Sequence, residues 1–295
     1  MKAIVYYLSL PFIYLLAYLP FSFLYAVSDF FYFILYHVIR YRRKIVYINL
    51  RKSFPEKTES EIHQLSKKYF SFLCDLTLET FKTLSFSKEE AVKRCAFINT
   101  ELFQKLYDEK KSIILMMGHY GNWEWGGNSF SIQTNYQLNV IYKTMSNPYF
   151  DNFVYRMRTR FGTGLIEMKK TFKEMAENRN KITATAFIAD QTPSADNSYW
   201  TMFLNQETPV FLGAERIATK LNYPVVFIQI KRIKRGYYEA HAEILFSNPA
   251  TTSTGEISEG YTRRLEEDII RQPETWLWSH RRWKHKRLAA NASTN

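Results

Sequence analysis

A histidine and a glutamate stand five positions apart in Met117-Gly-His-Tyr-Gly-Asn-Trp-Glu-Trp-Gly-Gly127, directly after the apolar run Ile113 to Met117. A short apolar run closed by glycine reads as a buried strand. His119 then sits just past the strand's C-terminal end, where open α/β sheets bind ligands. An imidazole there can take the proton from a hydroxyl as it attacks an acyl carbonyl. If a turn or a helix start follows, the Glu124 carboxylate can fold back onto the second ring nitrogen, fixing the tautomer and stabilising the imidazolium. That is a base and its partner without a protein nucleophile. A histidine at a strand end is also a common turn residue or satisfied core group, and His-x4-Glu alone does not separate these readings. No metal is expected, because the spacing is not that of two histidines on one helical face and no third ligand cluster accompanies it. No G-x-S-x-G segment offers a serine nucleophile, which argues against an esterase.

The elements that must position these residues show in the periodicity. Ile113 to Met117, Leu138 to Tyr142, Ile182 to Ala189, Val225 to Ile230 and Tyr238 to Leu245 read as strands. Pro148 to Phe161, Thr171 to Asn178, Phe211 to Leu221 and Glu256 to Arg271 read as helices between and after them. Alternation of this kind predicts an α/β fold, a mixed sheet flanked by helices. Residues 42 to 90 are expected to be mainly helical. Ile45 to Phe54 forms an amphipathic helix stopped by Pro55, and Thr58-Glu-Ser-Glu61 is a capping box opening another. Asn248 to Gly255 is an exposed loop, and the tail from Leu288 is expected to fray.

Ala3 to Ile39 holds no Lys or Arg and a single acid, Asp29. A spanning helix needs about 20 apolar residues, which points to one span over Ile4 to Ala26, with Pro11 and Pro20 as kinks, and a further apolar stretch from Phe30 to Ile39. The region is too long for a cleaved signal peptide and has no small-residue cleavage site. The cluster Arg40, Arg42, Arg43 and Lys44 follows, and an excess of positive charge marks the cytoplasmic side. Residues 1–40 are thus expected to anchor the chain in a membrane, with residues 41–295 as one catalytic domain. The formal charge of +12 suits an anionic bilayer, a nucleic acid or an acidic protein partner. Without a nucleic-acid-binding motif, and with aromatics gathered beside the anchor, the membrane is favoured. Cys74 and Cys95 are the only cysteines, too few for a disulfide framework or a zinc site.

The block Gly118-His-Tyr-Gly-Asn-Trp-Glu124 resembles the H-x4-D/E block of the bacterial lipid A biosynthesis late acyltransferases. Further similar blocks follow in order: Asn49-Leu-Arg-Lys-Ser-Phe-Pro-Glu56, Tyr142-Lys143, Arg160-Phe-Gly162, Asp190-Gln191 and Pro273-Glu-Thr-Trp-Leu-Trp-Ser-His-Arg-Arg-Trp-Lys284. The likeness spans nearly the whole chain, and its last block is long and unusual. The resemblance implies a mixed-sheet α/β domain like that of the glycerolipid acyltransferases behind an N-terminal transmembrane helix in the inner membrane. It also implies transfer of a fatty acyl chain from acyl carrier protein or coenzyme A to a lipid A precursor, without metal or prosthetic group and without nucleic acid.

Carried over by position, His119 is the base and Glu124 its partner, and Arg160 and Asp190 fall in blocks near the active site. Arg160 could hold a phosphate or the oxyanion, or lie on a solvated helix face with Arg156. Asp190 could orient a substrate hydroxyl or Arg160, or merely cap a turn. Lys143 stands where the family often has arginine, keeping the charge but losing the bidentate fork. The basic end with Arg281, Arg282 and Lys284, interleaved with Trp276, Trp278 and Trp283, suits an anionic headgroup surface or an acidic carrier protein. Alternatively its tryptophans are core and its charges a solvated rim. Two other readings stand beside lipid A acylation: a lysophospholipid or glycerolipid acyltransferase with the same chemistry, and a non-catalytic membrane-surface binder.

Overall fold

In the computed structural model, residues 2–194 and 198–287 are described; the tail from Leu288 lies outside them. The apolar N-terminus is not one helix over Ile4 to Ala26. Helix α1 spans Lys2–Tyr18 with Pro11 inside it; α2 spans Phe21–Phe33 and continues as a π-helical turn over Ile34–Val38. Proline lacks the N–H that would continue a helix and drives the residue before it out of the helical region. Pro20 therefore ends α1 rather than kinking a longer span. Phe21–Val38, 18 residues, is the one described helix long and apolar enough to cross a membrane.

Past the basic cluster come α3 (Arg43–Ser53), α4 (Glu59–Lys82) and α5 (Lys88–Arg94). Thr58 and Glu61 form the expected capping box, each satisfying the other's backbone N–H. The sheet is made of β1 (Cys95–Phe97), β2 (Ile113–Met117), β3 (Gln137–Tyr142), β4 (Gly164–Glu167), β5 (Thr183–Ile188), β8 (Val225–Lys234) and β9 (Tyr237–Phe246). Its order is β1-β9-β8-β2-β5-β3-β4, and only β8 and β9 run antiparallel to each other. This is the expected mixed α/β sheet. Short edge strands β1 and β4 and the hairpin of β6 (Tyr199–Phe203) and β7 (Gln206–Val210) were not foreseen, being too brief to show a period.

Connecting helices are α6 (Glu101–Asp108), α7 (Trp123–Gln133), α8 (Pro148–Thr159), α9 (Thr171–Glu177), α10 (Gly213–Leu221) and α11 (Glu256–Arg271). Central β2 is buried along its whole length. Because strand side chains alternate between faces, Ile114 and Met116 join a core with α3, α4, α10 and α11, while Ile113, Leu115 and Met117 join another with α5, α6 and α7. The outcome is a three-layer sandwich with the end of β2 near its middle.

Candidate active site

Strands β2 and β5 lie side by side and parallel, with Met117 opposite Ile188. The chain leaves both strands at the same level, so the residues two steps beyond, His119 and Asp190, meet. His119 Nδ1 lies 2.6 Å from Asp190 Oδ1, and the His119 backbone N–H donates to Oδ2 at 2.7 Å. Trp276 Nε1 donates to the same Oδ2 at 2.8 Å. Burial acts to raise the Asp190 carboxyl, but the His119 charge and hydrogen bonds, with that of Trp276, outweigh it and hold the group below the usual carboxylate value. An ionised Asp190 only accepts, so Nδ1 carries the proton and Nε2 is left as acceptor. Nε2 turns to a cavity, with the Gln191 side-chain amide nitrogen 3.3 Å away. The Trp123 ring packs edge-to-face on the imidazole, centroids 4.9 Å apart.

Glu124 does not take the place expected for it. Gly121 turns the chain with φ +62°, and a Cβ there would run into the Ile230 carbonyl, so only glycine fits. Asn122 then caps α7, its side-chain oxygen accepting from Trp125 N at 3.0 Å. The tight turn and the immediate helix start send Glu124 away from the imidazole toward α8. There Arg158 Nε donates to Glu124 Oε2 at 2.9 Å and Nη2 pairs with Oε1. Burial opposes the Arg158 charge, but Glu124 more than compensates and raises its pKa. Asp190 is thus the carboxylate on the second ring nitrogen, and Glu124 supports a cation on the cavity wall.

The other cationic candidates divide. Lys143 lines the cavity. Arg160 does not: its Nη1 donates to the Thr83 and Phe86 carbonyls, 2.8 Å for the latter, closing the end of α4 onto α8. Arg281 is exposed, and its carbonyl accepts from Thr192 Oγ1 at 3.2 Å, two residues past Asp190. Arg282 is only 1% exposed, with no hydrogen-bond partner for Nε and Nη1 among the described residues. Burial pushes it down to about 10, against the attraction of nearby Asp190. It can steady that carboxylate but cannot reach a substrate from there. Trp276 and Trp278 are buried core residues. The C-terminal block is therefore mostly internal, with Arg281 and Lys284 at its surface.

That block also builds the loop. Gly121 N donates to Thr275 O and Leu277 N to His119 O, both at 3.1 Å, so residues 275–277 pair with 119–121 like an added strand. Tyr261 Oη donates to Met117 O at 2.9 Å from α11. A Cβ on Gly118 would meet Leu265 Cδ1 at 2.7 Å and Asp190 Oδ2 at 3.3 Å. A side chain there would push the Leu265 side chain aside and press on the Asp190 carboxylate.

The cavity before Nε2 measures about 240 Å³ and runs between one face of the sheet and α7. Alternate residues of the central strands wall it: Leu115 and Met117, Ala186 and Ile188, Ile228 and Ile230. Phe97 and Phe130 also line it, and Lys143, Arg158 and Glu124 provide its charged part. A hydrocarbon chain matches the apolar part and a polar headgroup the charged part.

Arg158 was not singled out from the sequence. The available signal was its place beside Met157, which with Phe153 forms the inward face of α8. Nothing local marked Trp276 as a ligand of Asp190.

Residues 1–285 match the family described as bacterial lipid A biosynthesis acyltransferase. Similar proteins include a lipid A biosynthesis acyltransferase of Haemophilus influenzae, 24% identical over 277 residues, 92% of this chain and 85% of the relative. A lipid A biosynthesis lauroyltransferase of Escherichia coli is 22% identical over 246 residues, 82% of this chain and 79% of that protein.

Proposed function

We propose, on the premise that this chain belongs to the bacterial lipid A biosynthesis acyltransferase family and is an acyltransferase, that His119 is the general base of an O-acyl transfer to a lipid A precursor. The donor is a fatty acyl thioester of acyl carrier protein or coenzyme A. Residues 1–40 hold the protein at the inner membrane with residues 41–295 on the cytoplasmic side, where the basic cluster after Ile39 belongs.

In this reading His119 Nε2 removes the acceptor hydroxyl proton as the oxygen attacks the thioester carbonyl carbon. Asp190 keeps the proton on Nδ1 and balances the imidazolium charge that develops. The oxyanion is met by the backbone amides opening α7, at the positive end of the helix dipole. Collapse breaks the C–S bond, and the leaving thiolate takes the proton from His119. The acyl chain occupies the apolar cavity; Lys143, Arg158 and Arg281 meet the acceptor's phosphates.

The observation that carries this reading is an imidazole fixed on one side by a buried carboxylate and open on the other to an apolar cavity. Its test is transfer from labelled thioester donor to a tetra-acylated lipid A precursor, with a lysophospholipid assayed alongside. His119→Ala should lose about 10²- to 10⁴-fold in rate while keeping its fold. Activity within a few-fold of the parent removes His119 as base. Turnover of the lysophospholipid alone reassigns the acceptor and leaves the chemistry intact.

A further inference from the structure

We infer that α1 and α2 lie flat in the surface of an anionic bilayer, as an in-plane lipid-facing layer of the catalytic domain rather than as a membrane span. This rests on the reading of the protein as a membrane enzyme and states how it is seated.

The argument begins with what holds α2. Helix α2 runs antiparallel along α4 and is tied to it at successive levels. Lys82 Nζ donates to the Ala17 and Leu19 carbonyls at 2.7 and 2.9 Å. Tyr25 Oη donates to Glu79 at 2.9 Å, Ser28 Oγ to Asp75 at 2.7 Å, and Tyr36 packs on Phe70. Asp29, at the middle of Phe21–Val38, pairs with Arg235 at 2.6 Å, and Arg235 also pairs with buried Asp75. If α2 crossed a bilayer, Asp29 would lie at mid-depth and carry Arg235 and the tip of the β8–β9 hairpin with it. Exposed Lys231 and Lys234 would follow. Charges at that depth are strongly disfavoured. The same ties are compatible with a helix lying along the interface.

The outward face fits lipid. Ile4, Leu8, Phe12 and Leu15 follow a helical spacing along α1 and are each at least 62% exposed; Phe23 and Phe30 of α2 are similarly open. Exposed Tyr7, Tyr14 and Tyr18 add the amphipathic rings favoured at a headgroup boundary. Cations flank the face. Lys2 stands at one end; at the other, Arg40, Arg43, Lys44 and His63 line a hollow of about 420 Å³ that suits an anionic headgroup.

The seating also reaches the active site. Lys2 Nζ donates to Ser146 O at 2.6 Å, and Asn147 Nδ2 donates to Lys2 O at 3.2 Å. Ser146 and Asn147 belong to the loop that begins at Lys143, an exposed residue of the cavity wall. Exposed Met145 and Met168 continue the apolar surface there. The mouth is thereby held at the bilayer surface, and a lipid acceptor enters from the leaflet without crossing water.

The test is cysteine topology in the full chain. Cys74 and Cys95 are both buried and give little background. A cysteine on a short polar extension ahead of Met1, Tyr18→Cys at the α1–α2 junction, and Lys181→Cys on the domain surface are labelled with a membrane-impermeant maleimide in sealed vesicles of both orientations. In-plane seating predicts that the extension labels on the same side as Lys181→Cys, at least tenfold above the opposite side, and that Tyr18→Cys never labels from the opposite side. An extension labelled from the opposite side shows a single span and overturns the inference. Opposite-side labelling of Tyr18→Cys shows a hairpin through the bilayer and also overturns it, as does recovery of the chain off the membrane as a soluble dimer joined through this face. Acyl transfer measured on the same vesicles separates the two readings, because the predicted topology with no transfer counts against the reaction and not the seating.

Discussion

Two adjacent glycines on α7 line the cavity, and only one of them has room for a side chain. A Cβ on Gly126 would collide with Ile230 Cδ1, whereas one on Gly127 would meet nothing nearer than Leu138 Cδ2 at 4.0 Å. Glycine inside a helix costs about 1 kcal/mol relative to alanine. Gly127→Ala should therefore be neutral or stabilising, raising the melting temperature by roughly 2 °C. Gly127→Leu places four carbon atoms where the acyl chain is proposed to lie. Each methylene excluded from an apolar site forfeits about 0.8 kcal/mol, so a chain deprived of four positions loses about 3 kcal/mol, roughly 100-fold in kcat/KM. A donor about four carbons shorter should be used nearly as well as by the parent. The assay is competition among acyl thioesters of graded length, with products resolved by mass spectrometry. If Gly127→Leu is folded and active but keeps the parent's length preference, the cavity does not hold the acyl chain and the reasoning fails.

The other predictions follow from the pairs around the site. Glu124→Gln leaves Arg158 half-buried without its counter-charge, so it should raise the KM for the lipid acceptor by about tenfold with little change in the pH profile that reports on His119; a changed profile would return Glu124 to the histidine. Lys143→Gln should raise the acceptor KM, while Arg160→Gln, which loses the Thr83 and Phe86 carbonyls just beyond α4, should lower the denaturation midpoint with the KM unchanged. Asp190→Asn should lower kcat at every pH, because an amide oxygen can still orient Nδ1–H but cannot balance an imidazolium; an unchanged kcat would make Asp190 purely structural. Burial lowers the His280 pKa, so the unfolded chain takes that proton first. Its stabilising effect is complete above the usual histidine value of about 6.5 and declines as pH falls, as does that of Asp190 below about 3.9. Urea midpoints at about pH 7 and about pH 5 should differ, and less so in His280→Gln.

The sequence disclosed this site unevenly, for reasons of distance. Strand β2 and the glycine-rich turn after it are local events, a buried run followed by residues that permit tight backbone, and so could be read directly. Helix α11 matched its expected bounds, Glu256–Arg271, because it is long, periodic and preceded by glycine. The histidine's partner was sought nearby and found 71 residues away. That distance closes only because β2 and β5 are neighbours in register, and sheet order has no local signature. Hence Asp190 was visible as a candidate but its bond to His119 was not. Arg160 and Arg282 show the opposite error: an arginine advertises binding in sequence, and only packing reveals that its guanidinium is tied to carbonyls or enclosed in the core.

The pairing of residues 275–277 with the loop that carries His119 bears on how the molecule is made. A chain emerging from the ribosome presents β2 and its glycine turn when barely half is synthesised, yet the backbone of that turn lacks its last hydrogen-bonding neighbour until Leu277 has followed. Contacts so remote in sequence close late in folding. Premature termination anywhere before this segment leaves the histidine without its wall and Asp190 without the Trp276 indole. A chain that stops short of Thr275 therefore lacks every one of these hydrogen bonds to the His119 turn and to Asp190, and the local geometry there is completed only when synthesis has run almost to the end.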